Sequence, residues 1–168
     1  MKYIITTLLI VTLIINTEAA SVDTINIYSK AMQKEIKCVV IKPTVVQDET
    51  VQLPVVYLLH GHGGWYSNWI IRVPELKDYS DQYKMIIVCP DAANSWYFDS
   101  PMDSSLRYET YVSKEVPDYI ESHYPAIKNR NGRAITGLSM GGHGGLFLGF
   151  RHSDFYGACG SMSGGVDI

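Results

Sequence analysis

The sequence predicts an α/β domain, with a mostly parallel sheet and helices on both of its faces. Three observations carry that prediction. Strand-like and helix-like stretches alternate along most of the chain, in the order β-β-β-α-β-α-β-α-β. Two strand-like runs, LPVVYLLHG and MIIVCPD, are apolar without alternation, which marks strands buried on both faces, as parallel sheets require. Glycine-rich turns follow predicted strands at their carboxyl ends, where open α/β sheets bind ligands.

Taken in order, Thr24 to Tyr28 and Glu35 to Lys42 read as two antiparallel strands around the SKAMQK turn. The polar segment Val45 to Gln52 reads as a loop, and the buried strand LPVVYLLHG follows it. A helix fits Trp69 to Lys84, interrupted near Pro74, and MIIVCPD is the next strand. NSWYFDSPMDSS is a loop, polar and rich in aromatics. From Leu106 to Tyr124, apolar side chains recur at helical spacing, and Pro117 is expected to kink or break that helix. RAITGLS is a strand, Met140 to Arg151 a helix and YGACGSMSG a last strand. There is no repeat, linker or second domain.

The chain has 168 residues, 46% of them apolar, and a formal charge of −3. One domain with a real core fits this composition, and a nucleic-acid partner does not, because no basic block or basic-aromatic stripe is present. At the N-terminus, Lys2 precedes the apolar run Tyr3 to Ile15, and small residues follow at Ala19 and Ala20. That is the three-part layout of a secretory signal peptide over residues 1–20, with cleavage expected near Ala19 to Ser21. The run is short for a membrane span, so no stable span is expected after cleavage. The product is then secreted or periplasmic, with residues 21–168 forming the domain. Cys38, Cys89 and Cys159 each lie in apolar strand-like runs and read as small buried thiols. Their spacing fits no zinc pattern, and no metal or organic cofactor is expected.

The stretch AITGLSMGGHGG, Ala134 to Gly145, carries the chemistry. Ser139 stands between a strand and a helix, with Gly137 and Gly141 at positions −2 and +2. A sharp strand-turn-helix exposes the serine hydroxyl and leaves no room for side chains at those two positions. The helix start then aims backbone N–H groups at a developing oxyanion. LLHGHGG, Leu58 to Gly64, ends the earlier buried strand and is placed to supply a second donor. The backbone N–H groups of Met140 and His62 are the expected pair. A metal held by His60 and His62 is the rival reading, weakened by the absence of a third ligand.

Four segments together resemble the esterase D-like family of α/β-hydrolases, which includes feruloyl and acetyl-xylan esterases and mycolyltransferases. They are VVYLLHGHGGWYSNW, IIVCPDAANSWYFDS, YETYVSKEVPDYIESHYP and GLSMGGHGGLFLGFRHSDFYGACGSMSGGVDI. The resemblance implies the α/β-hydrolase fold, Ser139 as nucleophile, and an oxyanion hole of the His62 and Met140 N–H groups. It implies a small-molecule or polysaccharide-linked ester as substrate, feruloyl or acetyl. It also sets the NSWYFDS loop near the substrate pocket, where Trp96 and Tyr97 either pack against substrate or anchor the loop. Glu109 matches a position on the long helix and reads as structural.

A nucleophilic serine needs a histidine base and an orienting acid, in the chain order Ser, Asp or Glu, His. After Ser139 the histidines are His143, one turn along the same helix, and His152, near its far end; both read as surface or packing residues. The later carboxylates are Asp154 and Asp167. In the resembled family the acid and the histidine follow two further strands. The expectation is therefore an α/β-hydrolase lacking its last strands and helices, with a bare sheet edge. The alternatives are a non-catalytic remnant or binding module, and an acyltransferase to a carbohydrate.

Overall fold

The computed structural model describes residues 20–44 and 51–166. Residues 1–19 of the expected signal peptide, residues 45–50 of the expected loop, and Asp167 lie outside the described residues. Among the described residues, no helix is long and apolar enough to cross a membrane.

Six strands form one mixed sheet in the order β1-β2-β4-β3-β5-β6. Strands β1 (Ser21–Ser29) and β2 (Lys34–Lys42) make an antiparallel pair, and β2 runs antiparallel to β4 (Ile86–Pro90). The other pairings, of β3 (Val55–Leu59) with β4, of β3 with β5 (Arg133–Gly137) and of β5 with β6 (Ala158–Cys159), are all parallel.

Side chains alternate across this sheet and build two apolar layers. Cys38, Val40, Tyr57, Leu59, Ile86 and Val88 face one cluster, which also holds Tyr111, Val112, Ile120, Met140 and Leu148. Val39, Ile41, Leu58, Ile87 and Cys89 face the other, with Leu76, Trp69 and Val73. The first layer is covered by α3 (Tyr108–Thr110), α4 (Val116–His123) and α5 (Met140–Arg151). The second is covered by α1 (Asn68–Arg72) and α2 (Leu76–Tyr83), which meet at Pro74 as expected. Burial on both faces is the reason the central strands read as continuous apolar runs.

Three expectations are corrected. Pro117 neither breaks nor ends its helix, because a π-helical turn, Tyr111–Glu115, joins α3 to α4 across the missing N–H. The last strand is only two residues long, because glycines at 157 and 160 flank it and the chain beyond joins β5 by single bonds, Gly160 N to Ile135 O at 3.0 Å and Met162 N to Gly137 O at 2.9 Å. Cys159, on that edge strand, is exposed, whereas Cys38 and Cys89 are buried free thiols. Burial pushes the Cys89 thiol up to about 12 and raises Cys38 well above its ordinary value, so both stay protonated and inert.

Candidate active site

The turn between β5 and α5 sets Ser139 at φ 55° and ψ −116°, a backbone state that a non-glycine residue holds at a cost of about 1–3 kcal/mol. Neighbouring backbone pins it there. The Ser139 N–H donates to Met162 O at 2.9 Å, and the Leu138 N–H donates to Leu59 O at 3.2 Å. Both flanking glycines are sterically required. A Cβ on Gly137 would stand 2.5 Å from Leu59 O, and one on Gly141 would stand 2.7 Å from His60 O. The serine itself remains exposed.

The HGHGG loop lies against this turn. A Cβ on Gly61 would come 3.2 Å from Leu138 O and 3.5 Å from Ser139 Cβ. Gly63, at φ 71°, and the 3.0 Å bond from Gly64 N to Gly61 O fold the loop tightly, and Gly63 N donates to Asn94 Oδ1 at 2.7 Å. His62 is exposed at the tip, and Met140 begins α5 with its side chain fully buried. The first-turn N–H groups of α5, Met140's among them, have no partner of their own within the helix. The structure therefore brings together Ser139, the His62 loop and the Met140 end of α5.

Beside Ser139 opens a cavity of about 270 Å³, lined by His60 to Gly64, by Asn68, Trp69, Arg72 and Val73 around α1, and by Leu138. The Trp69 indole is fixed by its N–H donating to Leu59 O at 3.0 Å. Sequence reasoning missed this wall. The signal was WYSNW following HGHGG directly, which leaves the helix no distance in which to leave the site.

His60, weighed as a metal ligand, is a strut. Its Nε2 accepts from Ala92 N at 3.0 Å, which leaves Nδ1 to donate to Gly61 O at 2.8 Å. Burial lowers its pKa, outweighing the bond to Gly61 and the Asp91 carboxylate 3.9 Å away, so the ring is neutral. Among the described residues, no cluster of three or more His, Cys, Asp or Glu could hold a metal ion.

Trp96 and Tyr97 lie outside the cavity lining. Both have positive φ, 54° and 65°. Tyr97 is wholly buried, its hydroxyl donating to His60 O at 2.8 Å, so it anchors the loop under the HGHGG turn. Trp96 is half-buried, edge-on to His143 at 5.6 Å. His143 is buried among Trp96, Phe98 and Phe147, with Nδ1 3.1 Å from Gly165 O. His152 lies 3.1 Å from Glu109 Oε1, which also accepts from Arg151 Nε at 2.9 Å, at the far end of α5 from Ser139. The His143 backbone N–H donates to Ser139 O at 2.9 Å, but among the described residues no histidine ring is hydrogen-bonded to the Ser139 hydroxyl.

A model of the family described as "Putative esterase" matches residues 29–168. The chain belongs to this esterase family. An acetyl esterase of Caldicellulosiruptor saccharolyticus is 32% identical over 138 residues, 77% of this chain and 50% of that protein. A ferulic acid esterase structure superposes with a TM-score of 0.72 at 36% identity, covering 82% of this chain and 55% of that one. A ferulic acid esterase from Anaeromyces mucronatus superposes at 0.69 with 27% identity, over 91% of this chain and 62% of its own. The chain thus has the α/β-hydrolase fold, and it spans about half the length of the acetyl esterase and of the first ferulic acid esterase.

Proposed function

We propose that this chain carries the nucleophile half of a secreted serine carboxylic-ester hydrolase that acts on acetyl or feruloyl esters of carbohydrates. The observation that carries the reading is Ser139, exposed on a strained turn between a buried strand and a helix start, with the HGHGG loop against it. In the proposed step, Ser139 Oγ attacks the ester carbonyl carbon. The oxyanion forms within reach of the His62 and Met140 N–H groups, each worth about 3 kcal/mol of barrier. The alcohol leaves, and water then releases the acid from the acyl-serine. The names of the matched acetyl and ferulic acid esterases support the ester class.

The base is the unsupplied part. Of the five histidines, His60 is committed on both ring nitrogens, His123 lies on α4, His152 lies beside Glu109 at the far end of α5, and His143 is packed in aromatics. His62 shares the Ser139 cavity, but none of the described carboxylates is paired with it. The 168-residue chain is therefore expected to hydrolyse 4-nitrophenyl acetate no faster than its Ser139→Ala variant. Ser139-dependent turnover would overturn that expectation and point to His62 as base, tested by His62→Gln. Extended with the residues that follow the matched segment in the acetyl esterase, the chain is expected to deacetylate acetylated xylan in a Ser139-dependent way. No turnover from a folded extended chain would overturn the hydrolase reading in favour of a binding module.

Secretion rests on the Lys2-led apolar run, and the surroundings of Ala20 support a cleavage point beside it. Ala20 is buried, and its N–H donates to Asp81 Oδ2 at 3.0 Å. Cleavage after Ala19, with Thr17 as the small residue at −3, would turn that N–H into an α-amine paired with Asp81. The exported protein is expected to begin at Ala20, as intact-mass spectrometry of the secreted product would read directly.

A further inference from the structure

We infer that the cavity beside Ser139 selects esters that carry a carboxylate, and that Arg72 is the residue that reads it. This deepens the hydrolase reading and rests on it for the role of Ser139. The lining holds one permanently charged side chain, Arg72, and no carboxylate. The other arginines that face acidic partners, Arg107, Arg133 and Arg151, are paired with Asp99, Glu121 and Glu109. Among the described residues Arg72 has no such partner, and it is exposed while lining the cavity from the last position of α1. The remaining walls are apolar or neutral. Trp69, Val73 and Leu138 give flat apolar contact, and the Asn68 amide adds a polar group.

That arrangement suits a short ligand with an apolar body and an anionic tip. About 270 Å³ is small for a ligand pocket, so a ligand that fills it beside Ser139 also meets Trp69 and Arg72, which share the lining. A guanidinium offers a planar pair of donors to a carboxylate. The carboxylate could sit on the acyl side, as in a dicarboxylic half-ester, or on the alcohol side, as in an ester of an acidic sugar. The chemistry at Arg72 is the same in both.

Binding of unreactive amide isosteres tests this without turnover. N-phenylsuccinamate carries the carboxylate on the acyl side, and 3-acetamidobenzoate carries it on the side of the leaving group. Butyranilide and acetanilide are their neutral counterparts. Titration calorimetry is expected to show one of the anions binding about 5-fold tighter than its neutral counterpart, the range of an exposed ion pair. The tighter anion names the side. The preference should shrink in Arg72→Gln, survive in part in Arg72→Lys, and fall as salt is raised. Equal affinity of each anion and its neutral counterpart, no saturable binding of either anion, or a preference that persists in Arg72→Gln would each overturn the inference. The hydrolase reading fails separately, through absence of turnover in the folded extended chain. An intact anion preference with no Ser139-dependent turnover by that extended chain would leave the subsite standing and remove the reaction.

Discussion

Ser139 holds a backbone state that its own side chain disfavours. A hydroxyl is the one thing the position gains from being serine, since the turn would form more readily around glycine. Ser139→Gly is therefore expected to raise stability by about 1 kcal/mol, read from urea midpoints at unchanged m-value. A loss of stability would mean that the hydroxyl bonds to something in the fold. At Gly141 the balance runs the other way. Its missing Cβ would press on the carbonyl oxygens of Leu59 and His60, which are backbone and cannot swing aside. Gly141→Ala should cost roughly 3 kcal/mol by overpacking, and an unchanged urea midpoint would contradict the packing argument. These roles were legible in the sequence, because a serine with glycines at −2 and +2 after an apolar run leaves few other conformations. The role of His60 was not. Only the neighbouring strand end, with its Ala92 N–H, turns that histidine from a possible ligand into a strut.

Among the elements, the join of α4 to β5 carries a charge under cover. Arg133 is 9% exposed, bonds Glu121 Oε1 at 2.6 Å and lies over the Phe155 ring at 3.9 Å. Removing the guanidinium strands Glu121, itself largely covered, beside an emptied ring face. Arg133→Ala is expected to destabilise by about 3 kcal/mol, and Arg133→Met with Glu121→Gln by less than the single change, as a double-mutant cycle would measure. Central strands were readable as unbroken apolar runs, since both faces of the sheet are covered, and the long helix was readable from its helical spacing. The π-helical turn before Pro117 was not, because the sequence shows the missing N–H but not the extra residue per turn that absorbs it.

For the whole molecule, two titrations report on how the core is closed. His60 is buried and neutral with its pKa lowered by burial, so the unfolded chain takes up the proton first. Its contribution is complete above the ordinary value of 6.5 and is lost as pH falls from there through the lowered folded value. The melting temperature should therefore drop on acidification below that point, and drop less steeply in His60→Asn; parallel curves would exclude His60 as the cause. The thiols give an independent reading. Of the three cysteines, Cys159 is exposed while Cys38 and Cys89 sit in the sheet. One thiol should react with Ellman's reagent in the native protein and all three in denaturant.

The carbonyl oxygen of Leu59 ends β3, and four parts of the site converge on it. It accepts from the Leu138 N–H and from the Trp69 indole, and the two glycines beside Ser139 are bare because of it. The Trp69 ring and the turn that holds Ser139 therefore share one acceptor atom. The cavity wall and the Ser139 turn thus hang from one peptide group, so a substitution that moved the Leu59 carbonyl would disturb both at once.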